Sequence, residues 1–246
     1  MSTLSPAEVM IAAIAPMLAG LGHVAVGSQS PIPGSAALLA QAQSRSQMRI
    51  SILGSEHQTP FTDGGRELFD CAGQGRIDAF FLSGGQIDGA ANINLVGTGD
   101  IAHYPQSQQR FPGSFGSAYL YFVVPRVILF REEHTPRTLV QTVDFISAPG
   151  TSDADVYRPG GPFALVTSKC VFSFDKSRVR FALQSLHPGI STADVRSATG
   201  FDFDAAAHVP TTPMPDAATL ARLRTDIATQ VAATYPGFAR KTWGIT

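Results

Sequence analysis

Short apolar runs alternate with loops of small residues through the first half of this chain. His23–Val26, Arg49–Leu53, Ala79–Leu82 and Arg126–Phe130 each read as a buried strand. The first three run straight into small or polar residues: Gly27-Ser28-Gln29-Ser30, Gly54-Ser55-Glu56-His57 and Ser83-Gly84-Gly85. Helical patterns lie between them. Ser5-Pro6-Ala7-Glu8 is a capping box with proline at the first helical position. It predicts an amphipathic helix from Pro6 to Ala19, with Gly20 and Gly22 available to end it. A second, smaller helix is predicted over Ser35–Gln43, where Ala36, Leu38, Leu39 and Ala40 favour it. Strand, small-residue loop and helix in succession point to an α/β fold whose sheet has parallel character.

The second half has a different rhythm. Phe163–Val166, Val171–Phe174 and Val179–Leu183 are short β-branched or aromatic runs, separated by Ser168-Lys169 and by Asp175–Arg178. That spacing predicts an antiparallel meander. A short capped helix over Thr192–Ser197 ends at Gly200, and a last helix begins near Asp216. Leu220, Leu223, Ile227 and Val231 form a packing stripe along it. No repeat, linker or low-complexity tract divides the chain, so one domain over residues 1–246 is expected.

Composition narrows the function classes. With 44% hydrophobic and 15% charged residues the chain can bury a substantial core. A formal net charge of −1 removes the electrostatic argument for nucleic acid or an anionic membrane as partner. The apolar stretch Met10–Leu21 lacks a basic flank and is preceded by Glu8, so it reads as a helix and not as a secretion signal. No run approaches the ~20 apolar residues that span a bilayer, and a cytoplasmic location is expected. Cys71 and Cys170 have no metal-type spacing and are expected to be reduced thiols. His57, His103 and His134 are scattered, and no metal site is expected.

Three segments carry candidate chemistry. Ala79–Asn94, AFFLSGGQIDGAANIN, breaks from a strand into paired glycines. At the carboxyl end of a strand the amides of Gly84 and Gly85, with the carboxamide of Gln86, can stabilise a developing oxyanion. The alternative is a tight turn that needs glycine for a positive φ. Asp88 and Asn92 are read as residues that shape this loop through local hydrogen bonds. Glu56, three residues past a buried strand, is the carboxylate best placed to attack a thioester, or else a solvated loop glutamate. Phe111–Ala118 offers Gly113, Ser114 and Gly116 for close approach to a phosphate or pantetheine chain, with Arg110 beside them. It contains no phosphate-loop lysine and no dinucleotide fingerprint.

Taken in order, these segments resemble the β subunit of class I CoA-transferases, most closely the glutaconate type. Ser83–Asp88 with Asn92-Ile93-Asn94 is similar to that family's GGAQxD…GNxN stretch. Arg110–Ser114 resembles its R-F-x-G-S element, Val143–Gly150 its V-D-x-x-x-S-P-G element, and Thr199–Asp204 its T-G-F-D-x-D element. The resemblance implies an open, mostly parallel α/β sheet flanked by helices, and an α-subunit partner completing the active site. It implies acyl-CoA and carboxylic acid substrates and a CoA thioester as substrate, with no permanently bound cofactor. A glutamate would form a glutamyl-CoA thioester while glycine-loop amides hold the oxyanions. Along the Arg49–Leu53 strand that glutamate falls at or near Leu53 or Gly54, and Glu56 follows two or three residues later. Ser55-Glu56 is also similar to a Gly-Glu pair in a related branch of hydrolases that open a cyclic β-keto acyl-CoA in steroid breakdown. A non-catalytic subunit completing its partner's CoA site is the third reading.

Overall fold

The computed structural model describes residues 4–44, 47–106 and 108–245. Two compact units emerge: Met1–Phe81 together with Pro213–Thr246, and Leu82–Thr212.

In the first unit the strands are β1 (His23–Val26), β2 (Arg49–Ile52) and β3 (Ala79–Leu82). β1 pairs in parallel with β2, from His23↔Arg49 to Val26↔Ile52, and with β3 through Val24↔Ala79. Helix α1 spans Pro6–Ile14, shorter than the sequence pattern suggests. A 3₁₀ turn over Ala15–Leu18 follows, because Pro16 has no N–H to continue the α-helical ladder. Nor is α1 amphipathic: every residue from Ala7 to Ile14 is buried, Glu8 included. Glu8 is tolerated there because its carboxylate pairs with Arg224 at 2.6 Å.

Helix α2 covers Pro31–Gln43 and so begins four residues before the expected Ser35. Pro31 and Pro33 fit its first turn, where the backbone N–H groups have no helical acceptor anyway. Helix α3 (Gly64–Gly73), not among the expected elements, buries Leu68, Cys71 and Ala72. The C-terminal helix near Asp216 is really a series. α6 (Ala217–Arg222), capped by the Asp216 side chain, passes through a π-helical turn at Leu223–Ile227 into α7 (Ala228–Thr234). Leu223, Ile227 and Val231 are buried as the stripe requires, while Leu220 is half-buried. Tyr235 precedes a proline, which disfavours the helical region for it, and α8 (Pro236–Trp243) starts afresh.

The second unit opens with two short ribbons, β4 (Gln86–Ile87) with β5 (Ile93–Asn94) and β6 (Gly97–Thr98) with β7 (Gln109–Arg110). After α4 (Ser117–Val123) come β8 (Arg126–Arg131), β9 (Pro162–Thr167), β10 (Cys170–Asp175) and β11 (Arg180–Leu186). β8 and β9 are parallel, and β9-β10-β11 form the expected antiparallel meander. Val179, expected in the third strand of the meander, has φ +50° and belongs to the turn before it. α5 (Thr192–Ala198) starts on a Ser191/Asp194 capping box, and β12 (Asp204–Ala205) pairs in parallel with β11. Phe172 centres an aromatic core, with ring centroids of Phe203, Phe181 and Phe201 at 5.0, 5.8 and 6.1 Å. The chain is thus α/β, its longer strands mostly parallel and flanked by helices, with antiparallel pairing in the second half. Among the described residues no helix is long and apolar enough to cross a membrane. Cys71 and Cys170 are both buried and free.

Candidate functional site

All four sequence elements that carry the family resemblance lie in the second unit, and the first three of them tie to one another. Asp88 Oδ1 accepts from the N–H groups of Ala90 and Asn92, both at 3.0 Å. Its Oδ2 accepts from Asn92 Nδ2 at 3.1 Å and from Val143 N–H at 3.4 Å. The Asn92 carboxamide oxygen in turn accepts from Gly150 N–H at 3.1 Å. Asp88 and Asn92 therefore hold the two ends of Val143–Gly150 against the loop they shape. Ser147 Oγ donates to Ile93 O at 2.8 Å and accepts from Leu95 N–H at 2.9 Å. Gly200 N–H donates to Leu139 O at 2.7 Å, and an added Cβ there would stand 2.5 Å from that same oxygen.

Paired glycines at 84 and 85 serve a purpose that neither reading of the sequence contains. Neither has a positive φ, so a left-handed turn is not what they supply. They make room: a Cβ on Gly84 would lie 2.4 Å from Ile93 Cγ2, and one on Gly85 would lie 2.1 Å from the Phe111 ring. Gly85 N–H already donates to Asn94 O at 2.9 Å. The buried Gln86 carboxamide oxygen accepts from Asn94 Nδ2 at 2.7 Å and Asp144 N–H at 3.0 Å. Gly85 N–H and the Gln86 carboxamide oxygen are thus engaged by the scaffold.

Gly113-Ser114-Phe115-Gly116 has the opposite character. Gly113 has φ +105° and open space around its α-carbon, although its N–H is tied to Leu95 O at 3.0 Å. Ser114 O accepts from Ser117 N–H at 2.8 Å, and Gly116 caps the start of α4. Phe115 is 83% exposed and adopts φ +46°, a region that costs a non-glycine residue energy. Arg110, also exposed, lies over the Tyr104 ring with its Cζ 5.3 Å from the centroid.

Glu56 lies in the first unit, in the loop that follows β2, and is exposed. Its neighbours fold the loop tightly. Ile52 N–H donates to Gln58 O at 2.7 Å, Ser55 N–H donates to Ile52 O at 3.1 Å, and Gly54 takes φ +83°. Buried Ser55 Oγ accepts from Gln58 N–H at 3.1 Å and from Thr234 Oγ1 at 2.9 Å. Hydrophobic patterning alone offers no signal for the Thr234 contact, because it joins positions 179 residues apart.

Histidines do other work. His134 is buried between Thr167 Oγ1 at 2.7 Å and Thr199 Oγ1 at 2.9 Å, and burial pulls its pKa down to about 4. His103 is exposed beside Asp100. No group of three or more metal-ligating side chains occurs among the described residues.

The family model for coenzyme A transferase matches residues 5–198. The chain belongs to the coenzyme A transferase family. It is 32% identical to a 3-oxoadipate CoA-transferase subunit of Pseudomonas knackmussii over 157 residues, which is 61% of this chain and 58% of that protein. It is 27% identical to the cholesterol ring-cleaving hydrolase IpdB subunit of Rhodococcus jostii over 154 residues, 61% of this chain and 59% of that protein. The matched stretches thus span under two thirds of both relatives' lengths. The solved structure of the decarboxylase AibA/AibB shares the fold, with a TM-score of 0.77 and 23% identity across 98% of this chain and 100% of that one. Proteins named for three different reactions therefore share this scaffold, and the site has to decide among them.

Proposed function

We propose that this chain is the β subunit of a heteromeric acyl-CoA:carboxylate CoA-transferase, with a CoA-transferase α subunit as partner and the cytoplasm as its location. The observation that carries the reading is the 32% identity to a 3-oxoadipate CoA-transferase subunit. An exposed carboxylate in a tightly folded strand-end loop, Glu56, supports it.

Glu56 carboxylate attacks the thioester carbonyl of the acyl-CoA, forming an acyl-glutamyl anhydride as CoA thiolate leaves. The thiolate then attacks the glutamyl carbonyl, releasing the donor acid as its carboxylate and leaving a glutamyl-CoA thioester. An acceptor carboxylate attacks that thioester and expels the thiolate, giving a second anhydride. Attack of the thiolate on the acceptor's acyl carbon releases the new acyl-CoA and regenerates Glu56. The Gly113–Gly116 segment, exposed at Gly113 and Phe115, is the proposed contact for the CoA chain, because its backbone at Gly113 can be approached closely. Gly84, Gly85 and Gln86 are proposed to hold that segment in place through Phe111 and the Asn94 pairing.

The experiment is borohydride treatment of the reconstituted heteromer after incubation with acyl-CoA alone. Reduction of Glu56 to the alcohol, with loss of activity, is expected, and Glu56→Ala should abolish transfer. Acceptor-independent CoA release with no reducible adduct would favour the hydrolase alternative, to which the 27% identity to a ring-cleaving hydrolase subunit lends weight. Full activity of Glu56→Ala would leave this chain as a non-catalytic subunit.

A further inference from the structure

We propose that Thr234 is a positioning residue for the Glu56 loop, a role that rests on the reading of Glu56 as nucleophile. The loop is almost self-contained, closed by Ile52 N–H on Gln58 O and by Gln58 N–H on Ser55 Oγ. Thr234 Oγ1 adds an external tie by donating to Ser55 Oγ at 2.9 Å, one residue before Glu56. Ser55 is buried while Glu56 is exposed, so this hydroxyl pair sits where the chain passes from anchored to solvent-facing.

Thr234 is itself held in place. It is the last residue of α7, whose Ile227-side start and Val231 are buried, and the helix stops there because Tyr235 precedes Pro236. Tyr235 OH donates to Gly27 O at 3.2 Å, and its ring lies 3.1 Å from where a Cβ of Gly34 would stand. Gly27 follows β1 and the Glu56 loop follows β2, and these two strands are parallel neighbours. Consecutive residues Thr234 and Tyr235 thus brace the loops at the carboxyl ends of two adjacent strands. In such a fold that is the edge where ligands bind.

A nucleophile displaced by about 1 Å can lose on the order of a hundredfold in rate, so a tie beside Glu56 bears on turnover more than on binding. Thr234→Val keeps the β-branched side chain and replaces the hydroxyl by a methyl group that cannot donate. In the co-expressed heteromer it should lower kcat about tenfold while KM for acyl-CoA stays within about twofold, and Thr234→Ser should restore kcat. Amide hydrogen exchange at Gln58 should quicken in Thr234→Val and return to normal in Thr234→Ser, a readout independent of chemistry. Unchanged kcat in Thr234→Val, in a heteromer that Glu56→Ala inactivates, overturns the proposal and leaves the reading of Glu56 standing. Unchanged exchange at Gln58 overturns it as well. Full activity of Glu56→Ala is a separate result that removes the parent reading, and the positioning role falls with it.

Discussion

The Phe111 ring packs so closely on Gly85 that a β-carbon at position 85 would stand 2.1 Å from two of its carbons. Phe111 belongs to the Arg110–Ser114 element and Gly85 to the Ser83–Asp88 element, so this contact fastens the two together. Gly85→Ala forces the ring to move and should cost about 1–3 kcal/mol in urea unfolding, as overpacking does. Phe111→Ala combined with Gly85→Ala should cost less than the sum of the two single changes, because the clash is then gone. Strict additivity would mean that the two residues do not compete for the same space.

Gln86→Leu tests the scaffold on the polar side. It removes the acceptor shared by Asn94 Nδ2 and Asp144 N–H, leaving one hydrogen of the fully buried Asn94 carboxamide without its partner. An unsatisfied buried donor costs about 1–3 kcal/mol. A lower unfolding midpoint with an unchanged denaturant slope is the expected result, and wild-type stability would refute the role given to this carboxamide.

Acid should weaken the protein through His134. Burial, first, and then the nearby charges of Lys169 and His187 lower its pKa from 6.5 to about 4 in the folded state. The unfolded chain therefore binds more protons between those two values. The stabilising effect of the neutral ring is complete above pH 6.5 and is lost as pH falls towards 4. The shift corresponds to about 3 kcal/mol at most. His187 and His23 are shifted the same way, chiefly by burial, and add to the slope. Melting temperature should fall across this window, and less steeply in His134→Gln. Equal slopes for the two proteins would place the acid sensitivity elsewhere.

Glu8 and Arg224 make a pair whose partners cannot be removed singly without cost. Glu8 is 2% exposed, meets Arg224 at 2.6 and 3.0 Å, and accepts from Trp243 Nε1 at 3.3 Å. Desolvation raises its pKa, but hydrogen bonds and charge from Arg224, with help from Ser5, outweigh that and hold it below the usual range. Arg224→Leu strands a buried carboxylate and should destabilise by about 3–5 kcal/mol, measured by chemical denaturation. Replacing both residues by apolar ones should cost less than that single change.

Much of this is legible in the sequence because it depends on local order. The Ser5 and Ser191 capping boxes lie within four residues of chain, and strand-loop-helix alternation announces parallel pairing. The meander follows from β-branched and aromatic runs separated by short polar turns. Helix lengths are less legible, because Pro16 converts the end of α1 to a 3₁₀ turn while Pro31 and Pro33 extend α2 at its start. Helix α3 does leave a signal, Leu68, Cys71 and Ala72 at helical spacing on one buried face, which apolar runs alone do not reveal.

By itself the sequence determined the fold class, the family and the segments that matter, since each is written in residue types at short spacing. Only the tertiary structure decided how those segments pack. Gly84 and Gly85 are small because Ile93 and Phe111 need the space, and Gln86 is polar because Asn94 and Asp144 need an acceptor. Ser55, one residue before Glu56, accepts a hydrogen bond from a threonine near the far end of the chain. Such roles depend on which distant atoms arrive within a few ångströms, and that is a property of packing, not of local pattern.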